Sequence, residues 1–174
     1  MDLKALIPVV PDFPRPGVGF LDITAVLHDP AAFDWCIGRL ADFARSRRAS
    51  SVVAVESRGF LFGAPVAQRL GLPLVVARKP GKLPGAVHQL SYQTEYSTDT
   101  LQIQQHAPVG GRPWLVDDVL ATGGTLLALS DLIERHFGAG VSGAGVVVSL
   151  DFLPGSARLE ARPLLLDALE RYPA

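Results

Sequence analysis

The chain has a single cysteine, Cys36, so no intramolecular disulfide can brace it, and a reducing compartment suits it. The neighbours of Cys36 place it on a helix face, which fits a buried thiol better than a nucleophile. Charge of one sign is also missing: the formal net charge is −1, too small for a bulk field that recruits nucleic acid. No apolar run is long enough to span a bilayer, and MDLKALIPVVPDFPRPG lacks the basic start and long apolar centre of a secretory leader. The expectation is a soluble, cytoplasmic protein with no nucleic-acid or membrane partner. His28, His88, His106 and His136 are scattered, so no zinc site is expected. There is no internal repeat and no sign of a second domain. The 174 residues, 48% apolar and 19% charged, suit one globular domain with a core of its own.

What is present is an alternation of strand and helix patterns. Pro8 to Gly19 is punctuated by proline and glycine and cannot be regular helix or central strand. Asp29-Pro30 reads as an N-cap and first helical residue. Phe33, Cys36, Ile37, Leu40, Phe43 and Ala44 follow at helical spacing, with Arg45, Arg47 and Arg48 as a solvated helix end. Val52–Val55 predicts a strand, Leu61–Leu70 a helix stopped by Gly71, and Leu74–Ala77 a second strand. Pro65 fits that helix only in its first turn. Lys79 to about Thr98 reads as a long functional loop. Leu115-Val116, Val146–Leu150 and Leu164–Leu166 complete the strand candidates, and Leu126, Leu129, Ile133 and Phe137 mark a helix. Such alternation argues for a parallel sheet with helices on both faces.

The chemistry concentrates where strands end. In WLVDDVLATGGTL, an apolar run closes on Asp117 and Asp118, and Ala121-Thr122-Gly123-Gly124-Thr125 turns into a helix. Such a turn aims backbone N–H groups and the positive end of a helix dipole at one spot, which suits a phosphate. Two carboxylates beside it can accept hydrogen bonds from sugar hydroxyls. Either half alone also occurs as an ordinary turn or strand end; joined, they favour a sugar phosphate. Glu56-Ser57-Arg58-Gly59-Phe60 offers a hydroxyl, a guanidinium fork and a glycine that admits close backbone approach, the parts that hold a diphosphate. Read alone, it could be a surface turn. Arg78, Lys79 and Lys82 put three cations within five residues, which suits a polyanion or a solvated basic turn. Phe20 is either a stacking ring or a core anchor.

In content and order these segments resemble the type I phosphoribosyltransferases, and within them the adenine-specific branch, over about Ile7 to Arg158. The resemblance implies one domain of α/β class: a mostly parallel sheet of about five strands flanked by helices, with an N-terminal hood over about 7–28. It implies that Ala121, Thr122, Gly123, Gly124 and Thr125 bind the ribose 5-phosphate, with Asp117 and Asp118 on the ribose hydroxyls. Ser57, Arg58, Arg78, Lys79 and Lys82 would hold diphosphate, and the Glu56-Ser57 bond would be cis. Tyr92 to Leu101 is similar to that branch's mobile flap, within about 79–100, and Glu95, Tyr96 and Arg58 are then the catalytic candidates. Glu95 would take a proton from the purine while a closed flap excludes water from an oxocarbenium-like carbon. Gly19, Phe20 and Leu21 would contact adenine, although Leu21 stands where arginine is common and Ser97 where glycine is. Magnesium, held by substrate and water, and a homodimer are also implied. Leu21 keeps another purine open as the acceptor; a phosphoribosyl-diphosphate sensor of the same fold is the more distant alternative.

Overall fold

The computed structural model describes residues 1–13, 15–17, 19–93 and 98–173. An N-terminal unit comprises α1 (Leu3–Leu6), β1 (Val9–Val10), β2 (Phe20–Leu21) and α2 (Thr24–His28). The two short strands pair antiparallel, Val9 opposite Leu21 and Val10 opposite Phe20. Helix α3 (Pro30–Ser46) begins as its sequence requires: the Asp29 carboxylate accepts hydrogen bonds from the N–H of Ala31 (2.9 Å) and Ala32 (3.1 Å). A cap of this kind stabilises a helix by roughly 1 kcal/mol.

Strand β3 (Ser51–Val55), helix α4 (Gly59–Leu70), strand β4 (Leu74–Ala77) and the pair β5 (Val87–Gln93) and β6 (Thr98–Gln104) follow. Then come β7 (Pro113–Leu120), α5 (Gly124–Phe137), β8 (Gly143–Leu150), α6 (Gly155–Ala161) and β9 (Leu166–Tyr172). Five strands form one sheet in the order β4-β3-β7-β8-β9, parallel at every pairing. All of β3 is buried, as a sheet covered on both faces demands. Alternate residues serve opposite faces. Val52, Ala54, Trp114 and Val116 pack with Leu40, Phe62 and Val66 from α3 and α4. Val53, Val55, Leu115 and Val146 pack with Leu126, Leu129 and Ile133 of α5 and with Leu101 and Ile103 of β6.

The order has a consequence for function. Strands β3 and β7 lie side by side, yet their connections leave in opposite directions, β3 towards β4 and β7 towards β8. A crevice opens at the carboxyl ends of such a pair, and ligands of open α/β sheets bind there.

Several expectations need correction. The stretch expected as a loop from Lys79 to Thr98 contains most of an antiparallel hairpin, β5 with β6, whose alternating polar and apolar residues were masked by the surrounding prolines and glycines. Helix α4 starts at Gly59, so Pro65 lies in its interior rather than its first turn. Strand β7 runs on through Leu120, which places both aspartates inside the strand, and the last strand begins at Leu166. Arg47 is no solvated helix end: its guanidinium grips both oxygens of Asp167 at 3.0 and 2.8 Å.

Candidate functional site

The carboxyl ends of β3 and β7 open into a cavity of about 680 Å³ lined by Ser57, Arg58, Lys79, Lys82, Asp117 and Asp118, with Tyr92, Asp99 and Thr125 closing other sides. A second space of about 100 Å³ abuts it, lined by Asp117 and by residues 119–126. That is room for one tetrahedral anion. Asp117 and Thr125 border both spaces.

Each wall has a local cause. After β3 the chain turns through Glu56-Ser57, a cis peptide as expected, and enters α4 at Gly59. A Cβ at Gly59 would lie 2.8 Å from the Val116 carbonyl oxygen and 3.2 Å from Asp117 Cα, so only glycine lets α4 start this close to β7. That approach brings Arg58 to Asp118, with Nε 2.7 Å from Oδ2. The two form an ion pair whose N–H is not aligned for a hydrogen bond, so Oδ2 is buried without a hydrogen-bond partner. Asp118 is 3% exposed, whereas Arg58 is exposed enough to turn towards a ligand. Asp117 accepts a hydrogen bond from the Asp118 N–H at 2.9 Å. Burial, with the neighbouring Asp118 charge adding to it, raises the Asp117 carboxyl well above the usual carboxylate range.

Among the cations, Lys79 and Lys82 border the cavity, with Lys79 Nζ 3.8 Å from Asp99 on β6. Arg78 faces elsewhere. Its Nη2 donates to Glu56 Oε1 at 3.0 Å and its Nη1 to the Lys82 carbonyl at 3.1 Å, while Glu56 Oε2 accepts from the Lys79 N–H at 2.9 Å. The Lys79 N–H and the Arg78 guanidinium together hold the Glu56 carboxyl below its ordinary range. Arg78 therefore braces the basic loop against the loop after β3.

The anion-sized space is shaped from behind. Gly123 adopts φ +76 at the head of α5, and a Cβ there would meet Leu159 Cδ1 at 2.8 Å. Gly155 of α6 donates its N–H to the Ala121 carbonyl at 3.0 Å, and Arg158 Nη1 donates to the Thr122 carbonyl at 2.7 Å. On the open side the Tyr92 hydroxyl lies 3.2 Å from Thr125 Oγ1. None of Tyr92, Asp99 or Arg158 was singled out for a role from sequence. Tyr92 and Arg158 lie 33 and 36 positions from their partners Thr125 and Thr122, and Asp99 lies 20 from Lys79, contacts that no local spacing signals.

In the hood, the Phe20 ring lies 5.6 Å from the Arg58 guanidinium carbon and 5.0 Å from the Phe13 ring. Phe20 therefore lies beside Arg58, which lines the larger cavity, while Leu21 packs on the core. Gly19 packs its backbone near Val9. Glu95 and Tyr96 lie outside the described residues. Among the described residues, no three histidine, cysteine, aspartate or glutamate side chains group as a metal cage.

Residues 23–151 match the phosphoribosyl transferase domain family. The adenine phosphoribosyltransferase of Chloroflexus aurantiacus is 48% identical over 164 residues, covering 94% of each chain. This chain belongs to the adenine phosphoribosyltransferase family. Among solved family members, the enzyme of Thermoanaerobacter pseudethanolicus superposes with a TM-score of 0.91 at 42% identity, covering 98% of both chains. The Saccharomyces cerevisiae enzyme, crystallised with an imino-altritol bisphosphate and adenine, superposes with a TM-score of 0.88 at 34% identity, covering 97% of this chain and 96% of that one.

Proposed function

We propose that the protein transfers the 5-phosphoribosyl group of phosphoribosyl diphosphate to N9 of adenine, giving AMP and diphosphate with inversion at the anomeric carbon. The observation that carries this reading is the pairing of two spaces at one strand switch. The smaller is sized for a phosphate within the β7–α5 turn, and the larger has cations on one wall and a carboxylate pair on another. A ribose spanning them would put its 5-phosphate on the amides of residues 121–125 and its hydroxyls on Asp117 and Asp118. Its diphosphate would then lie at Ser57, Arg58, Lys79 and Lys82. The close homology to named adenine phosphoribosyltransferases supports adenine as the acceptor.

The N9 lone pair forms the new bond to C1′ as the C1′–O bond breaks and its electron pair leaves on diphosphate. Arg58, Lys79 and Lys82 stabilise the departing charge, the dominant electrostatic contribution in such a site. Glu95 receives the proton of the imidazole ring, and Tyr96 closes over the ribose; both assignments rest on the sequence resemblance. Arg78 holds the diphosphate loop in place through Glu56. Phe20 faces the base, and Gly19 and Leu21 offer backbone groups to its edge. Among the described residues no third carboxylate joins Asp117 and Asp118 in a metal cage, which fits a magnesium ion held mainly by substrate oxygens and water. When bound, the ion would neutralise part of the diphosphate charge.

We further read residues 1–174 as one domain with a base-binding hood over about 7–28 and a flap and clamp over about 79–100. It would work as a cytoplasmic homodimer with no nucleic-acid or membrane partner. No helix among the described residues is long and apolar enough to cross a membrane. The test is product formation from phosphoribosyl diphosphate and magnesium with adenine, hypoxanthine, guanine and xanthine in turn. AMP from adenine alone is expected. Turnover of a 6-oxopurine in its place would overturn the acceptor, and no nucleotide from any base would overturn the enzyme. Glu95→Ala should lower turnover while leaving phosphoribosyl-diphosphate binding nearly intact.

A further inference from the structure

Tyr92 stands on β5, directly across the hairpin from Asp99 on β6. Its ring lies against the start of α5, where a Cβ added at Gly124 would sit 3.7 Å from two ring carbons. Its hydroxyl is 3.2 Å from Thr125 Oγ1, and either oxygen can donate. The two directions are not equivalent once an anion enters the adjoining space, which Thr125 lines. A threonine hydroxyl has one proton. If Thr125 donates to Tyr92, it presents only lone pairs to the anion. If Tyr92 donates, Thr125 accepts from the phenol and keeps its proton for a phosphate oxygen. A bound anion selects the second arrangement, and two hydrogen bonds in series polarise each other.

We infer that Tyr92 is a positioning residue for 5-phosphate recognition, its hydroxyl donating to Thr125 Oγ1 so that the Thr125 proton points at the phosphate. The inference deepens the function proposed above and rests on its placement of the 5-phosphate at residues 121–125. It also makes the β5–β6 hairpin sense the phosphate, because the same tyrosine belongs to both. Asp99, its cross-strand neighbour, lies 3.8 Å from Lys79 Nζ in the basic loop, so phosphate and diphosphate positions share one hairpin. Burial raises the Tyr92 phenol above its ordinary value, which keeps it a neutral donor through the working range.

The test uses the whole protein and two ligands differing only in the phosphate, AMP and adenosine, together with ribose 5-phosphate. Tyr92→Phe keeps the ring and removes the donor. Its affinity for ribose 5-phosphate and AMP should fall about 3- to 10-fold, the scale of one net hydrogen bond, with adenosine affinity little changed. In steady state the loss should fall on KM for phosphoribosyl diphosphate rather than on kcat. Thr125→Val should lose at least as much, and Tyr92→Phe in a Thr125→Val background should lose nothing further. Equal losses for AMP and adenosine would mean a merely structural tyrosine, and additive losses would mean that the two hydroxyls act separately; either overturns the inference. Binding is read without turnover, so a wild type that binds AMP yet forms none from any base would sink the proposed reaction and leave this inference standing.

Discussion

Gly123→Ala is the substitution whose outcome the structure specifies most fully. The residue has φ +76, and an added Cβ would lie 2.8 Å from Leu159 Cδ1 and 3.2 Å from both Cα and the carbonyl oxygen of Gly155. A left-handed backbone costs a non-glycine residue roughly 1–2 kcal/mol, and overpacking adds roughly 1–3 kcal/mol. The Leu159 methyl can rotate away; the Gly155 backbone cannot, because its N–H is bound to the Ala121 carbonyl in the same turn. Together the effects predict roughly 2–5 kcal/mol of lost stability, or a Tm lower by roughly 5–15 °C for a domain of this size. Gly138→Ala, at the other end of α5, is the internal control, since its φ is +63 and nothing lies within 4 Å of the added carbon. It should show the backbone cost alone, roughly 1–2 kcal/mol. The assay is calorimetric melting of both variants with and without ribose 5-phosphate. Gly138→Ala should keep the ligand-induced rise in Tm, which reflects about 2.7 kcal/mol of added stability at a hundredfold excess over Kd. Gly123→Ala should lose most of it, because the turn must move to relieve the contact. Equal Tm losses, or an undiminished ligand shift in Gly123→Ala, would refute the account of how α6 shapes the β7–α5 turn.

Arg158→Met removes the donor to the Thr122 carbonyl and should raise KM for phosphoribosyl diphosphate about 3- to 10-fold with little change in kcat, checked by initial rates. The Asp117 carboxyl is raised in the fold, so the native state binds its proton more tightly and loses stability as pH climbs above the usual carboxylate value of 3.8. Asp117→Asn should therefore raise Tm at neutral pH, with the gain vanishing in melts run below that value, while ribose 5-phosphate binding weakens. Burial pushes the Cys36 thiol up to about 12, so the native protein should resist a disulfide reagent and react only on unfolding. Rapid labelling under native conditions would contradict the burial of α3 against the sheet.

What the sequence determined by itself was local chemistry. Asp29-Pro30 contains its own cap and helical φ, β-branched runs such as Val52–Val55 commit to buried strands, and Asp117 to Thr125 spells out strand, turn and helix in one stretch. The physical reason is range: caps, turns and side-chain alternation are settled by neighbours a few positions apart. The hairpin of β5 and β6 escaped because its strands are recognised only by pairing with each other. Its prolines and glycines at 80–85, seen locally, say only loop. Arg78 and Arg47 show the same limit for charge. An arginine's donors can serve a ligand or a carboxylate, and sequence cannot say that Glu56 or Asp167 waits beside them. The tertiary structure alone decided that Arg78 braces while Arg58 faces the cavity, and that Tyr92 and Arg158 reach the β7–α5 turn at Thr125 and Thr122. Those assignments follow from parallel crossovers, which place strand ends tens of residues apart in the chain around one crevice.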